Sequence, residues 1–184
     1  MDKILILLAQ GCEEIEAVTP IDLLNRAGLE VVTACLDNEK VIQASHGAIL
    51  MAQKKLSEVI NEEWDMIILP GGLPGADYLG KNKQVIKLIK KIDSSGKYIA
   101  AICAAPRVLA KNGLLNGKRA TAYPGILKKK DFPEIDICDE KVVVSDNIIT
   151  GRGPGVAVDF ALKLIEILCG KELLNTVETS LVRY

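Results

Sequence analysis

The feature that most restricts this chain is its alternation of short, unbroken apolar runs with longer amphipathic ones. KILILLA (3–9), LEVVTACL (29–36), WDMIILPGG (64–72) and YIAAI (98–102) are short and almost uniformly apolar, which suits strands buried on both faces of a sheet. Between them, EIEAVTPIDLLNRAG, NKQVIKLIKKIDSSGK and APRVLAKNG read as helices. Ile15, Val18, Leu23 and Leu24 recur at helical spacing in the first, with Pro20 expected to bend it and Gly28 to close it; Val85, Ile86, Ile89 and Ile92 mark one face of the second. Such alternation predicts an α/β fold, a flavodoxin-like three-layer sandwich with a mostly parallel sheet. Residues 40–53 alternate weakly and predict a small hairpin excursion. Further on, KVVVSDNIITG predicts a hairpin turning at Asp146 and Asn147, and a helix follows in GPGVAVDFALKLIEILCG with Pro154 in its first turn.

Bulk properties narrow the function. A chain of 184 residues can bury about 70% of its unfolded surface without cross-links, and no linker, repeat or low-complexity tract divides it, so one domain over 1–184 is expected. With 23 basic and 24 acidic residues, and the three lysines at 128–130 read as a solvated face, nothing steers it toward nucleic acid. No apolar stretch approaches the roughly 20 residues of a bilayer span, and the start lacks the basic region and cleavage site of a signal peptide. A cytoplasmic protein without membrane association is the expectation. Its five cysteines, Cys12, Cys35, Cys103, Cys138 and Cys169, are odd in number and lack a C-x-x-C pair, and His46 is the one histidine. Neither a disulfide framework nor a metal site is therefore expected.

In open α/β sheets ligands bind outside the carboxyl ends of the strands, here residues 10–16, 71–75, 103–106, 123 and 151–155. Cys103 stands in the sharp turn between YIAAI and APRVLA, where Ala100, Ala101, Ala104 and Ala105 let strand and helix approach closely. That placement has the logic of a nucleophile elbow. The positive end of the helix is expected to lower the thiol pKa from about 8.5 toward the range of about 3.5 to 7.5. Position alone leaves a buried, inert cysteine equally open. Gly71 and Gly72 place backbone N–H groups where they could face the same crevice and serve an oxyanion. Of the three carboxylates in GCEEIEAV, Glu13 and Glu14 read as ordinary first-turn residues. Glu16 could instead turn inward, where desolvation and a nearby thiolate would raise its pKa.

The GRGPG stretch (151–155) invites a dinucleotide reading, but it is G-x-G-x-G, and Val156 stands where the third fingerprint glycine belongs. No nicotinamide or flavin cofactor is expected.

Taken together, AAICAAP, LPGG, GCEEIEAVTPIDLLNRAG and TGRGPGVAVDFALKLIE, in the same order over nearly the whole chain, resemble the ThiJ/PfpI superfamily, in the branch of the Parkinson-disease protein DJ-one and its bacterial relatives. The resemblance implies a class I glutamine amidotransferase-like sandwich that forms homodimers with the first helix at the two-fold. It further implies that Cys103 is a nucleophilic, oxidation-prone cysteine and that Glu16 is a protonated glutamate bonded to its sulfur. Gly72 and Ala104 would supply backbone donors, Arg26 and Arg152 would line or brace the site, and His46 would lie in the excursion near the dimer interface, either approaching the partner's site or, the preferred reading, as a surface histidine. Two positions depart from the pattern. The protease-like branch has histidine directly after the cysteine, where this chain has Ala104, which counts against peptidase activity. The favoured branch commonly has histidine where this chain has Tyr123, whose phenol, with a pKa near 10, is a poor base at neutral pH. Two functions follow from the resemblance. One is a cofactor-free glyoxalase or deglycase acting on small reactive 2-oxoaldehydes such as methylglyoxal. The other is an oxidative-stress sensor or chaperone whose Cys103 is oxidised to a sulfinate.

Overall fold

The computed structural model describes residues 2–183. In chain order, β1 (Lys3–Leu8), α1 (Glu14–Arg26) and β2 (Glu30–Cys35) lead into a hairpin of β3 (Val41–Gln43) and β4 (Ile49–Met51). The short strand β5 (Lys54–Lys55), α2 (Leu56–Val59), β6 (Met66–Leu69), α3 (Gly75–Lys81), α4 (Lys83–Ser94), β7 (Tyr98–Ile102) and α5 (Pro106–Lys111) follow. The chain then forms β8 (Arg119–Ala120), β9 (Asp136–Ile137), β10 (Val142–Ser145), β11 (Ile148–Gly151), a 3-10 turn at Pro154–Val156, α6 (Ala157–Cys169) and α7 (Lys171–Ser180).

One seven-stranded sheet runs β10-β11-β7-β6-β1-β2-β5, parallel throughout except for β10 against β11. The β10–β11 hairpin turns at Asp146, which adopts the left-handed φ of 52° that such a turn requires. Alternation along the strands divides the core. Ile4, Ile6, Leu8, Met66, Ile68, Ala100 and Ile102 face a layer that contains residues of α1, α6 and α7, whereas Leu5, Leu7, Ile67, Leu69, Ile99 and Ala101 face residues of α2, α3, α4 and α5. A strand covered on both sides has no polar face to show, which is why these segments read as continuous apolar runs. Among the described residues, no helix is long and apolar enough to cross a membrane.

The first helix differs from its expected orientation. α1 buries Glu16, Ala17, Pro20, Leu23 and Leu24 and leaves Ile15 and Val18 exposed, so the apolar positions at its start lie outside while a carboxylate lies inside. The expectation failed there because two exposed apolar residues imitated the periodicity of a buried stripe. Four further elements, α2, α3, β8 and β9, are too short or too glycine- and lysine-rich to show a period, and α7 follows Gly170 as a separate, mostly exposed helix.

Sheet order reverses at β1, with β2 on one side and β6 on the other, and the carboxyl ends of strands at such a switch point are where open α/β sheets bind ligands. The loop after β1 is tied to the loop after β6 by Glu13 N–H donating to Gly71 O at 3.0 Å. Against the end of β11, Phe160 of α6 is fully buried, and a Cβ placed on Gly151 would stand 2.8 Å from its ring. Close packing of this kind leaves little room for collapse. Phe160→Ala is expected to cost about 3–5 kcal/mol, seen as a lower urea midpoint with an unchanged slope.

Candidate active site

Cys103 is the first residue past β7 and holds φ at 64°, in the left-handed region that side chains other than glycine rarely occupy. Three strand ends hold it there. Its N–H donates to Gly151 O at 2.9 Å at the end of β11, its carbonyl accepts from Tyr123 N–H at 2.9 Å beyond β8, and the turn closes with Ala105 N–H on Ile102 O at 3.0 Å. Strain of about 1–3 kcal/mol persists only where surroundings over-determine it in this way. The residue is buried, with 8% of its surface exposed.

Glu16 meets it from α1. The carboxyl is fully buried; Oε2 accepts from Gly71 N–H at 2.9 Å, and Oε1 has no well-formed hydrogen bond. The carboxyl interacts with the thiol of Cys103. Gly71 can only be glycine in this arrangement, because a Cβ there would lie 2.5 Å from Glu16 Oε2 and 2.7 Å from Cys103 Cβ. Gly72, at φ 84°, lies as close to the other loop, its hypothetical Cβ standing 2.4 Å from Glu13 N.

Desolvation pushes the Glu16 carboxyl up to about 7; the neighbouring Glu13 adds to the shift, and the Cys103 and Gly71 contacts oppose it. Burial pushes the Cys103 thiol up to about 12, and the Glu16 carboxylate reinforces this, against hydrogen bonds from the N–H groups of Gly72 and Ala104. This corrects the expected pre-ionised thiolate. α5 has only six residues, and the sulfur is buried beside an acid. Two negative charges are disfavoured in so small a buried volume, so near neutrality the pair keeps at least one proton between sulfur and carboxyl.

The structure distributes the remaining candidates unevenly. Gly72 and Ala104 present N–H groups to the sulfur. The N–H of Gly71 is committed to Glu16 and is not free for an oxyanion, which corrects that role. Tyr123 borders the site through its backbone; its half-exposed ring lies against Gly153, where a Cβ would be 3.3 Å from Cδ2. Arg152 follows Gly151 directly, but its guanidinium pairs with Asp139 at 2.5 Å and braces the surface. Arg26 is not brought to Cys103: ten residues along α1 carry it about 15 Å from Glu16 along the axis, where it pairs with Asp22 at 2.9 Å.

Glu13 is the residue that sequence reasoning undervalued. It is not an ordinary first-turn carboxylate but the buried N-cap of α1, with Oε2 accepting from Glu16 N–H at 2.9 Å. The spacing of Glu13 and Glu16, an acceptor three residues before its donor, is the signal that could have found it. Glu14 instead anchors the β3–β4 turn. It accepts from His46 N–H at 3.0 Å and Ala48 N–H at 3.2 Å, and although desolvation opposes them, hydrogen bonds of this kind hold its carboxyl down to about 2.

Residues 2–167 match the model of the DJ-1/PfpI family. The chain is 41% identical over 179 residues to protein dj-1beta of Drosophila melanogaster, covering 97% of this chain and 95% of that protein. It is 37% identical over 173 residues to the glutathione-independent glyoxalase DJR-1.2 of Caenorhabditis elegans, covering 94% and 91%. The solved structure of oxidized Toxoplasma gondii DJ-1 superposes with a TM-score of 0.92 at 40% identity over the full length of both chains. On a match this extensive, carried by the same fold and by most of the chain's length, the protein belongs to the DJ-1/PfpI family.

Proposed function

We propose that this protein is a cofactor-independent enzyme of the glyoxalase or deglycase type, acting through Cys103 and Glu16 on small 2-oxoaldehydes such as methylglyoxal. The observation that carries the reading is the buried Glu16 carboxyl set against a buried thiol, with one oxygen unsatisfied and titration lifted to about 7. An acid with that pKa is suited to take and return a proton at neutral pH. The relative in Caenorhabditis elegans, named a glutathione-independent glyoxalase, supports the assignment. A cysteine buried to this degree favours small substrates over protein chains.

In this mechanism the Glu16 carboxylate removes the thiol proton as the sulfur attacks the aldehyde carbon. The C–S bond forms, the carbonyl π pair becomes an alkoxide, and the Gly72 and Ala104 N–H groups that meet the sulfur at rest stabilise it. Protonation of the alkoxide gives a hemithioacetal. Glu16 then moves the proton from the former aldehyde carbon to its neighbour, and the hydroxyl proton passes to the ketone oxygen, which turns the hemithioacetal into a thioester without net oxidation. Water hydrolyses the thioester, releasing lactate and restoring the thiol. Deglycation uses the same addition on early adducts of amines.

A second copy of the chain fits the exposed apolar side chains of α1, Ile15 and Val18, and of the hairpin, Val41, Ile49 and Met51. We propose that this face forms a homodimer. Met51→Lys is expected to shift sedimentation toward the monomer, and a wild-type chain that sediments as a monomer at micromolar concentration would remove the dimer.

The second reading, a peroxide sensor, rests on the same buried donors, which would hold the oxygens of a Cys103 sulfinate; the Toxoplasma gondii relative is described as oxidized. After mild peroxide, mass spectrometry is expected to find two added oxygens on Cys103. Equal modification of all five cysteines would remove this reading.

For the enzyme, Cys103→Ser and Glu16→Gln are each expected to lower kcat/KM toward methylglyoxal, without glutathione, by about 10²–10⁴-fold. Because Glu16 acts as base, wild-type kcat/KM rises with pH through a midpoint near 7, a limb absent from the residual activity of Glu16→Gln. Equal turnover in wild type and Cys103→Ser would end the proposal.

A further inference from the structure

A cavity of about 440 Å³ lies past the carboxyl ends of β1 and β2, where Leu8, Ala9, Leu36 and Ile42 give it an apolar lining. Neither Cys103 nor Glu16 borders it. Its volume falls within the range of about 300–1,000 Å³ that small-molecule sites occupy. Hydrogen bonds fix its walls. The Gln10 side chain acts as an extra strand unit: Nε2 donates to Val41 O at 2.7 Å and Oε1 accepts from Gln43 N–H at 2.9 Å, which holds β3, and Ile42 with it, against the end of β1. Beyond β2, the Cys35 thiol donates to Asp37 O at 3.2 Å, and Asp37 Oδ1 accepts from Glu39 N–H at 3.0 Å. Asn82 caps α4, with Oδ1 accepting from Gln84 N–H at 2.9 Å and Val85 N–H at 3.2 Å.

The polar groups that line this preformed cavity keep unused capacity. Asp37 Oδ2, the Tyr78 hydroxyl, the Lys81 ammonium and the Asn82 amide nitrogen make no hydrogen bond or ion pair among the described residues. Tyr78 and Lys81 stand three residues apart on α3 and so share one of its faces. One cavity therefore combines an apolar lining, a half-exposed aromatic ring, a carboxylate oxygen, an amide and a cation.

We infer that this cavity is a site for a purine nucleoside monophosphate, with the base against the apolar lining and the Tyr78 ring, the ribose hydroxyls on Asp37, and the phosphate on Lys81 and Asn82. A flat base suits apolar and aromatic walls, a diol donates to a carboxylate, and a phosphate takes an ammonium and an amide N–H. Position supports the same ligand. In doubly wound sheets nucleotides bind outside the carboxyl ends beside the strand where sheet order reverses, and an acid past the second strand takes the ribose hydroxyls. Here that strand is β1, and Asp37 stands two residues beyond β2. The loop after β1 lacks a diphosphate cradle, because Glu13 and Glu14 stand where a glycine-rich turn would be needed and Glu13 already occupies the N–H of Glu16. A single phosphate held by Lys81 is what the remaining groups can bind.

The test is calorimetric titration of adenosine monophosphate into the full-length protein. The expected result is saturation near one equivalent per chain. Lys81→Gln is expected to weaken this binding at least tenfold while leaving adenosine binding unchanged. Asp37→Asn is expected to weaken it at least tenfold, but not to weaken binding of the 2′,3′-dideoxy analogue. Both residues are exposed, so both variants are expected to keep the wild-type melting temperature and the wild-type turnover of methylglyoxal. Absence of binding at millimolar nucleotide would overturn the proposal. So would equal affinity in wild type and both variants, which would place the nucleotide elsewhere, or tighter binding of phenylalanine than of the nucleotide, which would make this a site for a zwitterion.

Discussion

The arrangement depends on one proton shared by a buried thiol and a buried carboxyl. Either group alone in this crevice would be inert chemistry. A lone buried cysteine stays protonated, and a lone buried glutamate would stay neutral. Set together they form a unit in which loss of the first proton is spread over both, and an approaching electrophile draws it toward sulfur. The surrounding backbone serves this unit. Gly71 gives up a side chain so that Glu16 and Cys103 can approach, and donates its N–H to the carboxyl; Gly72 and Ala104 give theirs to the sulfur.

Much of the fold was legible because its strands are covered on both faces. KILILLA and YIAAI carry that fact in their composition, and the hairpin at Asp146 carries it in its turn residues. The site was legible in part. Cys103 stands out at a strand end among alanines, but the inward turn of Glu16 was not available from periodicity, since Ile15 and Val18 suggested the opposite face. The residues flanking Glu16 left the inward turn open, and the resemblance of the motifs favoured it. The protonation state was misjudged for a related reason. A helix start can be read from Pro106, but neither its six-residue length nor the depth of the sulfur is written in local sequence. Arg26 shows the same limit, because a motif places a residue on a helix without saying how far along the axis the chemistry lies.

Glu13 links the levels. As N-cap it fixes the first turn of α1 and therefore the angle at which Glu16 enters the crevice; as a buried charge it raises the cost of ionising Glu16; as the wall of the hairpin contact it joins the site to the one exposed histidine. A residue with ordinary helix-start chemistry thus sets the geometry and the electrostatics of its neighbour three positions on.

Such a site is held against the stability of the fold. Cys103 keeps a left-handed backbone, and Glu16 is a carboxyl taken wholly out of water, each a cost the core must offset. The carboxyl also couples folding to pH. Because its pKa rises from 4.5 to about 7 on folding, the folded chain binds the proton more tightly than the unfolded one. Its contribution is fully present below 4.5 and is lost as pH rises through 7, on the order of 3 kcal/mol across that window. The loss falls in the range where Glu16 becomes the base that the chemistry requires, so stability and reactivity trade against each other through one carboxyl. The apolar layers on both faces of the sheet, with Phe160 packed against Gly151, are what allow the exchange.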